Sequence, residues 1–214
     1  MYIYVFGSIC RGEIDKRSDI DLLAIVEKDE SRTIFDKNKF SIYTSKRLID
    51  LWDEGNPFAW HLFLESKLIY SDNNCDLIQD LGKPKTYANL ENDLNKFSNL
   101  FNDSIKSINE SENSRIFDLS MIFLAIRNFA TCYSLGSLNE YNFSRHSALR
   151  LTKNRLEISP KCYEVLERAR ILSTRGIGEL ITKKETQIVL SELDIIKKWF
   201  HQISFRLCMN STTE

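Results

Sequence analysis

The hydrophobic period of this chain changes once, near residue 88. Up to residue 70, apolar residues come in short runs rich in β-branched and aromatic side chains, at 2–6, 18–26, 39–45 and 67–70. Such runs, bounded by turn-forming residues, read as strands. Beyond the change, Leu90, Leu94, Phe97, Leu100, Phe101, Ile105 and Ile108 recur at steps of three and four, the spacing of one helix face. Runs of strands followed by runs of helices predict an α+β chain. A small mixed β-sheet with helices on one side is expected over residues 1–75. A linker punctuated by Gly82 and Pro84 follows at 76–88, and an all-α helical bundle at 89–214. At 214 residues, 43% of them hydrophobic, the chain can bury a sizeable core in one compact unit or two small domains.

Two pieces near the N-terminus carry chemistry. Phe6-Gly7-Ser8 closes the first strand with a turn, and Ser18-Asp19-Ile20-Asp21 opens the second. Read as a strand over 18–26, this places Asp19 and Asp21 on one face and points Ile20 into the core. Two neighbouring carboxylates repel unless a cation lies between them. Hard oxygen ligands suit Mg2+ (or Mn2+), which usually brings substrate phosphates with it. Gly7 lets the backbone approach a phosphate closely. Ser8 adds a hydroxyl and a backbone N–H at the start of a short helix, a place that favours anions. Arg11 follows on the same turn, and Leu22 to Val26 form the continuous apolar run of a strand buried on both faces.

Gly7-Ser8, then Arg11-Gly12, then Ser18-Asp19-Ile20-Asp21-Leu22-Leu23 resembles the signature of the DNA polymerase β-like nucleotidyltransferase superfamily. The nearest look is its small bacterial branch, the aminoglycoside and minimal nucleotidyltransferases. Weaker similarity continues through residues 55–62 and 65–70. The resemblance implies transfer of a nucleoside monophosphate from an NTP, ATP foremost, to a hydroxyl, with release of pyrophosphate. It assigns Asp19 and Asp21 as catalytic metal ligands. Gly7, Ser8, Arg11 and Ser18 become nucleotide-binding residues, with Lys16 or Arg17 as further counter-charges. The acceptors it allows are an aminoglycoside or other small hydroxylated metabolite, a protein hydroxyl or an RNA 3′ end.

The chain departs from the family in one respect. A third carboxylate normally stands on the strand that pairs with the Asp-x-Asp strand, as a metal ligand or general base. Here that strand offers Phe40, Ser41, Ile42, Tyr43 and Thr44, and no acid. Asp36 and Glu65 are the candidates left to complete the site. The missing acid supports a second reading, a nucleotidyltransferase fold used as an antitoxin or regulatory interaction protein. A homodimer or a toxin partner would suit that role. Minimal nucleotidyltransferases are often paired with helical HEPN-type partners, whose nucleases carry an Arg followed four to six residues later by His. Arg127 is followed by Asn-Phe-Ala-Thr-Cys-Tyr, and Arg145 stands directly beside His146, so nuclease activity is not expected.

Ser45 is read as the cap of a helix to Glu54. Gly55-Asn56-Pro57 ends that helix and starts the next, with Phe58, Leu62 and Phe63 facing inward and His61 as a structural histidine. Residues 116–133 are apolar nearly all round and predict a buried central helix, whose Arg127 needs a core acid or a phosphate. Ser144-Arg145-His146-Ser147 reads as the start of a helix to residue 152. Further helices are expected at 160–172, with Gly176 as C-cap, and from 182 or 183 onward. Twenty-nine basic and thirty acidic residues leave a net charge of −1, which argues against bulk electrostatic binding of nucleic acid. No run is read as a membrane span. The opening Met-Tyr-Ile-Tyr-Val-Phe lacks the basic region and cleavage site of a signal peptide. The cysteines at 10, 75, 132, 162 and 208 are scattered and form no Cys-x-x-Cys pair, so a reducing cytoplasm is the expected home.

Overall fold

The computed structural model describes residues 1–14, 19–27 and 35–211, with side chains as far as residue 207. Lys16, Arg17, Ser18 and the Cys208 side chain lie outside the described residues. The chain divides into two compact units, Met1–Asn89 and Leu90–Glu214.

The first unit is built on a four-stranded mixed sheet of order β3-β2-β1-β4, with β1 Tyr2–Phe6, β2 Asp21–Val26, β3 Phe40–Thr44 and β4 Ser66–Ser71. β1 is antiparallel to both neighbours, and β3 runs parallel to β2. The β1–β2 register pairs Tyr4 with Leu23 and Phe6 with Asp21, so these side chains share one face. On that face Tyr4, Phe6, Leu23 and Ile25 pack against Leu48, Leu51 and Trp52 of helix α1 (Ser45–Asp53) and Ala59 and Leu62 of α2 (Pro57–Glu65). Leu23 to Val26 are all buried, as the continuous apolar run requires.

Two local expectations are corrected. β2 begins at Asp21 rather than residue 18, and Ile20 is 61% exposed instead of pointing into the core. The cause is length: β1 ends at Phe6, opposite Asp21, so residues before Asp21 run past the end of the pairing strand. The cap of α1 is Thr44, whose hydroxyl accepts from the Arg47 N–H at 3.2 Å, so Ser45 becomes the first helical residue. Asn56 caps α2 through the Phe58 N–H at 2.9 Å, and Pro57 occupies the first helical position, where its missing N–H costs nothing.

Residues 76–88, expected as a linker, are bound to the first unit. Asp76 caps a short helix α3 (Leu77–Leu81), whose Ile78 is buried. The Tyr4 hydroxyl donates to Asp76 and accepts from the Ile78 N–H, at 2.8 and 3.1 Å. Further on, the indole N–H groups of Trp52 and Trp60 donate to the carbonyls of Gly82 and Lys85, at 2.8 and 3.1 Å. A Cβ on Gly55 would stand 2.4 Å from the Lys85 and Thr86 carbonyl oxygens. Leu77, Ile78 and Leu81 also join the core of this unit, so hydrogen bonds and apolar contact together hold the segment.

The second unit consists of α4 (Leu90–Glu110), α5 (Arg115–Tyr133, extended by a π-helical turn to Leu138), α6 (Pro160–Arg175) and α7 (Lys183–Ser211). α5 is buried on nearly every side, and Phe101, Phe129, Trp199 and Phe200 form a continuous aromatic cluster. By length and composition alone, Arg115–Leu138 could cross a membrane, contrary to the expectation that no run could, but most of it is buried inside the bundle. Arg127 Nη2 donates to the Phe143 carbonyl at 3.2 Å, so a backbone oxygen takes part in the pairing expected from an acid or phosphate. The helix expected from Ser144 is only a 3-10 turn, Ser147–Leu149. Its two basic residues face Glu167, with Arg145 Nη1 at 3.0 Å and His146 Nε2 at 3.8 Å.

Candidate active site

The end of β1 and the start of β2 meet at one corner of the first unit. Phe6 pairs with Asp21 on one side and with Ser66 of β4 on the other. The chain then turns sharply. Gly7 sits at φ +79°, in the left-handed region, and opens a single 3-10 turn, Gly7–Ile9. The turn is closed by Cys10 N–H to Gly7 O at 3.0 Å, Gly12 N–H to Ile9 O at 3.2 Å and Glu13 N–H to Ser8 O at 3.0 Å. Ser8 is 9% exposed at its centre. Burial pushes the neighbouring Cys10 thiol up, and its Sγ donates to the Val5 carbonyl at 3.4 Å.

Glycine at position 7 answers two demands. Its φ is one that L side chains rarely adopt, and a Cβ there would lie 2.7 Å from Asp21 Oδ2. The Asp21 carboxylate therefore rests against the bare backbone of the turn. Asp19 lies two residues before β2 and is exposed. The structure thus brings Gly7, Ser8 and Asp21 together at one corner, leaves Asp19 in the approach to it, and does not describe Ser18.

Arg11 and Glu65 were linked by no sequence signal, yet they pair. Arg11 Nη1 donates to Glu65 Oε2, and Arg11 Nε donates to Glu13 Oε2 at 3.0 Å. Glu65 is the last residue of α2, directly before β4, and its Oε2 also lies 3.0 Å from His61 Nε2. The only hint in the sequence was the four-residue step from His61 to Glu65 on one helix face. Asp36, the other candidate third acid, lies four residues before β3. Because β3 is parallel to β2, that is the same end of the sheet as Asp21. Its Oδ1 accepts from the Asn38 N–H at 2.9 Å. β3 itself contributes no carboxylate.

Among the described residues, no three His, Cys, Asp or Glu side chains gather as a metal site. The Asp21 carboxylate beside the glycine turn, with Asp19 two residues before it in the chain, nevertheless matches the oxygen-donor chemistry of Mg2+, which typically takes one or two protein carboxylates and completes its shell with water and substrate phosphates. The missing Cβ at Gly7, which would crowd Asp21 Oδ2, leaves room for that carboxylate at the turn.

In comparison with known families, residues 1–75 match the model described as Polymerase beta, Nucleotidyltransferase. No curated protein matches the chain. The matched segment contains all four strands, the Gly7–Ile9 turn, Asp19, Asp21 and Glu65. The sheet unit of this chain, residues 1–75, is thus similar to the polymerase β-like nucleotidyltransferases.

Proposed function

We propose that this chain moves a nucleoside monophosphate from an NTP, ATP foremost, to a hydroxyl acceptor. The acceptor oxygen forms a bond to the α-phosphorus, the bond to the bridging oxygen breaks, and pyrophosphate leaves with the electron pair. The hydroxyl proton passes to a base. Asp19 and Asp21 are the residues that would hold Mg2+ (or Mn2+), whose chemistry is to neutralise charge on the α-phosphate and the triphosphate tail. The left-handed Gly7 brings its backbone close to the phosphates. Ser8 offers them a hydroxyl, and Arg11 stands on the same turn with its charge offset by Glu13 and Glu65. The acceptor is a small hydroxylated molecule or a protein hydroxyl, and a cytoplasm rich in NTP and magnesium is the fitting compartment.

One observation carries the proposal: the Asp21 carboxylate lies against a left-handed glycine whose side-chain space it occupies, where β1 turns into the Gly7–Ile9 turn. The test is pyrophosphate release from each labelled NTP with Mg2+ or Mn2+, across a panel of hydroxyl acceptors. Asp21→Ala is expected to abolish release. Unchanged release in both Asp19→Ala and Asp21→Ala would remove the metal assignment. A second reading is favoured by β3, which has no acid: a domain that binds NTP without turnover and acts as an antitoxin or regulator. Tight NTP binding with no product in any acceptor panel would select it.

A further inference from the structure

α2 presents Phe58, His61 and Glu65 at steps of three and four, so they line one face of the helix. That face meets the end of β1. The rings of Phe58 and His61 stand edge-on to Phe6, with centroids 5.7 and 5.6 Å away. One turn further along, Glu65 Oε2 lies 3.0 Å from His61 Nε2 and accepts from Arg11 Nη1. Arg11 also belongs to the backbone of the turn, because its N–H points at the Gly7 and Ser8 carbonyls, at 3.3 and 3.2 Å. The Arg11 and Glu65 side chains are only 20% and 13% exposed. Water screens such a pair less than a surface ion pair, so it can hold geometry.

We propose that Glu65 is a positioning residue. By anchoring the Arg11 side chain it holds the Gly7–Ile9 turn in the shape that offers Ser8 to a phosphate. His61 braces Glu65 from the same helix and Phe6 from the side. The inference rests on the nucleotidyltransferase reading. It assigns Glu65 to the phosphate grip rather than to the missing third carboxylate, because the oxygen facing the turn already accepts from the Arg11 guanidinium.

The experiment uses the full chain as wild type, Glu65→Gln, Arg11→Ala and the double variant. The first readout is amide hydrogen exchange at residues 8–13 without nucleotide. Because Glu65→Gln removes the charge that Arg11 Nη1 bonds to, it should speed exchange at Arg11, Gly12 and Glu13 about tenfold or more. The double variant should exchange no faster than Arg11→Ala, since Glu65 acts through Arg11. Unchanged exchange in Glu65→Gln, or a double variant faster than Arg11→Ala, overturns the proposal. If Glu65→Gln also loosens β1 and β2, Glu65→Asp keeps the charge, withdraws it by one methylene, and is read by the same criteria. The second readout is steady-state turnover. KM for the NTP should rise about tenfold while kcat stays within about threefold, a loss of ground-state grip. A kcat loss of about a hundredfold at constant KM would make Glu65 a catalytic carboxylate and overturn the proposal. If the wild type neither binds nor turns over NTP, the transferase reading falls, and hydrogen exchange still decides whether Glu65 holds the turn.

Discussion

Gly7→Ala is the substitution most directly determined by the geometry of the site. Two costs follow from one methyl group. The first is conformational: at φ +79° an alanine sits in the left-handed region, which costs an L residue about 1–2 kcal/mol. The second is displacement. The new Cβ would meet Asp21 Oδ2 at 2.7 Å, whereas ordinary contact begins at 3.4 Å. The carboxylate must withdraw by about 0.7 Å, and a misplacement of that order lowers turnover by about a hundredfold. Chemical unfolding should therefore show a loss of about 1–2 kcal/mol, read from the fluorescence of Trp52 and Trp60 in the first unit. Pyrophosphate release should fall about a hundredfold in the folded protein. Asp21→Asn separates the effects, since it should abolish release without the backbone cost. A Gly7→Ala protein with wild-type stability and wild-type turnover would refute the reasoning. So would one whose activity falls only in proportion to its unfolded fraction.

Three further outcomes concern stability. Asn56→Ala removes the cap of α2 and should cost about 1 kcal/mol by denaturant unfolding. Phe200→Ala empties the centre of the aromatic cluster, where its ring lies 4.7 Å from Phe101 and 4.5 Å from Phe129, and should cost about 3–5 kcal/mol. Arg168 and the Thr182 backbone hold the Glu185 carboxyl down to about 2 from its ordinary 4.5. A depressed folded value means that this contribution is complete above pH 4.5 and disappears as pH falls toward 2. Wild type should therefore lose stability on acidification through that window, and Glu185→Gln should flatten this part of the curve.

Much of the architecture was legible in the residues themselves. The change of period near residue 88 separates sheet from bundle, and Asn56-Pro57 marks a helix start because capping and the proline ring act within a few bonds. Gly176 likewise closes α6 in a left-handed conformation, at φ 65°. The apolar run 22–26 declared a buried strand. Local rules failed where a remote partner decides. Ile20 alternates correctly for a strand interior, yet it is exposed because β1 is too short to reach it. Residues 76–88 look like a linker, yet two indole N–H groups and the Tyr4 hydroxyl bind them.

The candidate site divides in the same way. Sequence alone determined that a glycine turn and an Asp-x-Asp pair occur at a spacing that resembles a nucleotidyltransferase, because both lie in one short segment. Only the tertiary structure decided that Asp21 fills the space beside Gly7, since that contact depends on the β1–β2 register. It likewise paired Arg11 with Glu65, because α2 carries the glutamate back to the turn from fifty-four positions along the chain. Spacing reports neighbours on one element; contacts between elements follow from packing, which no local pattern encodes.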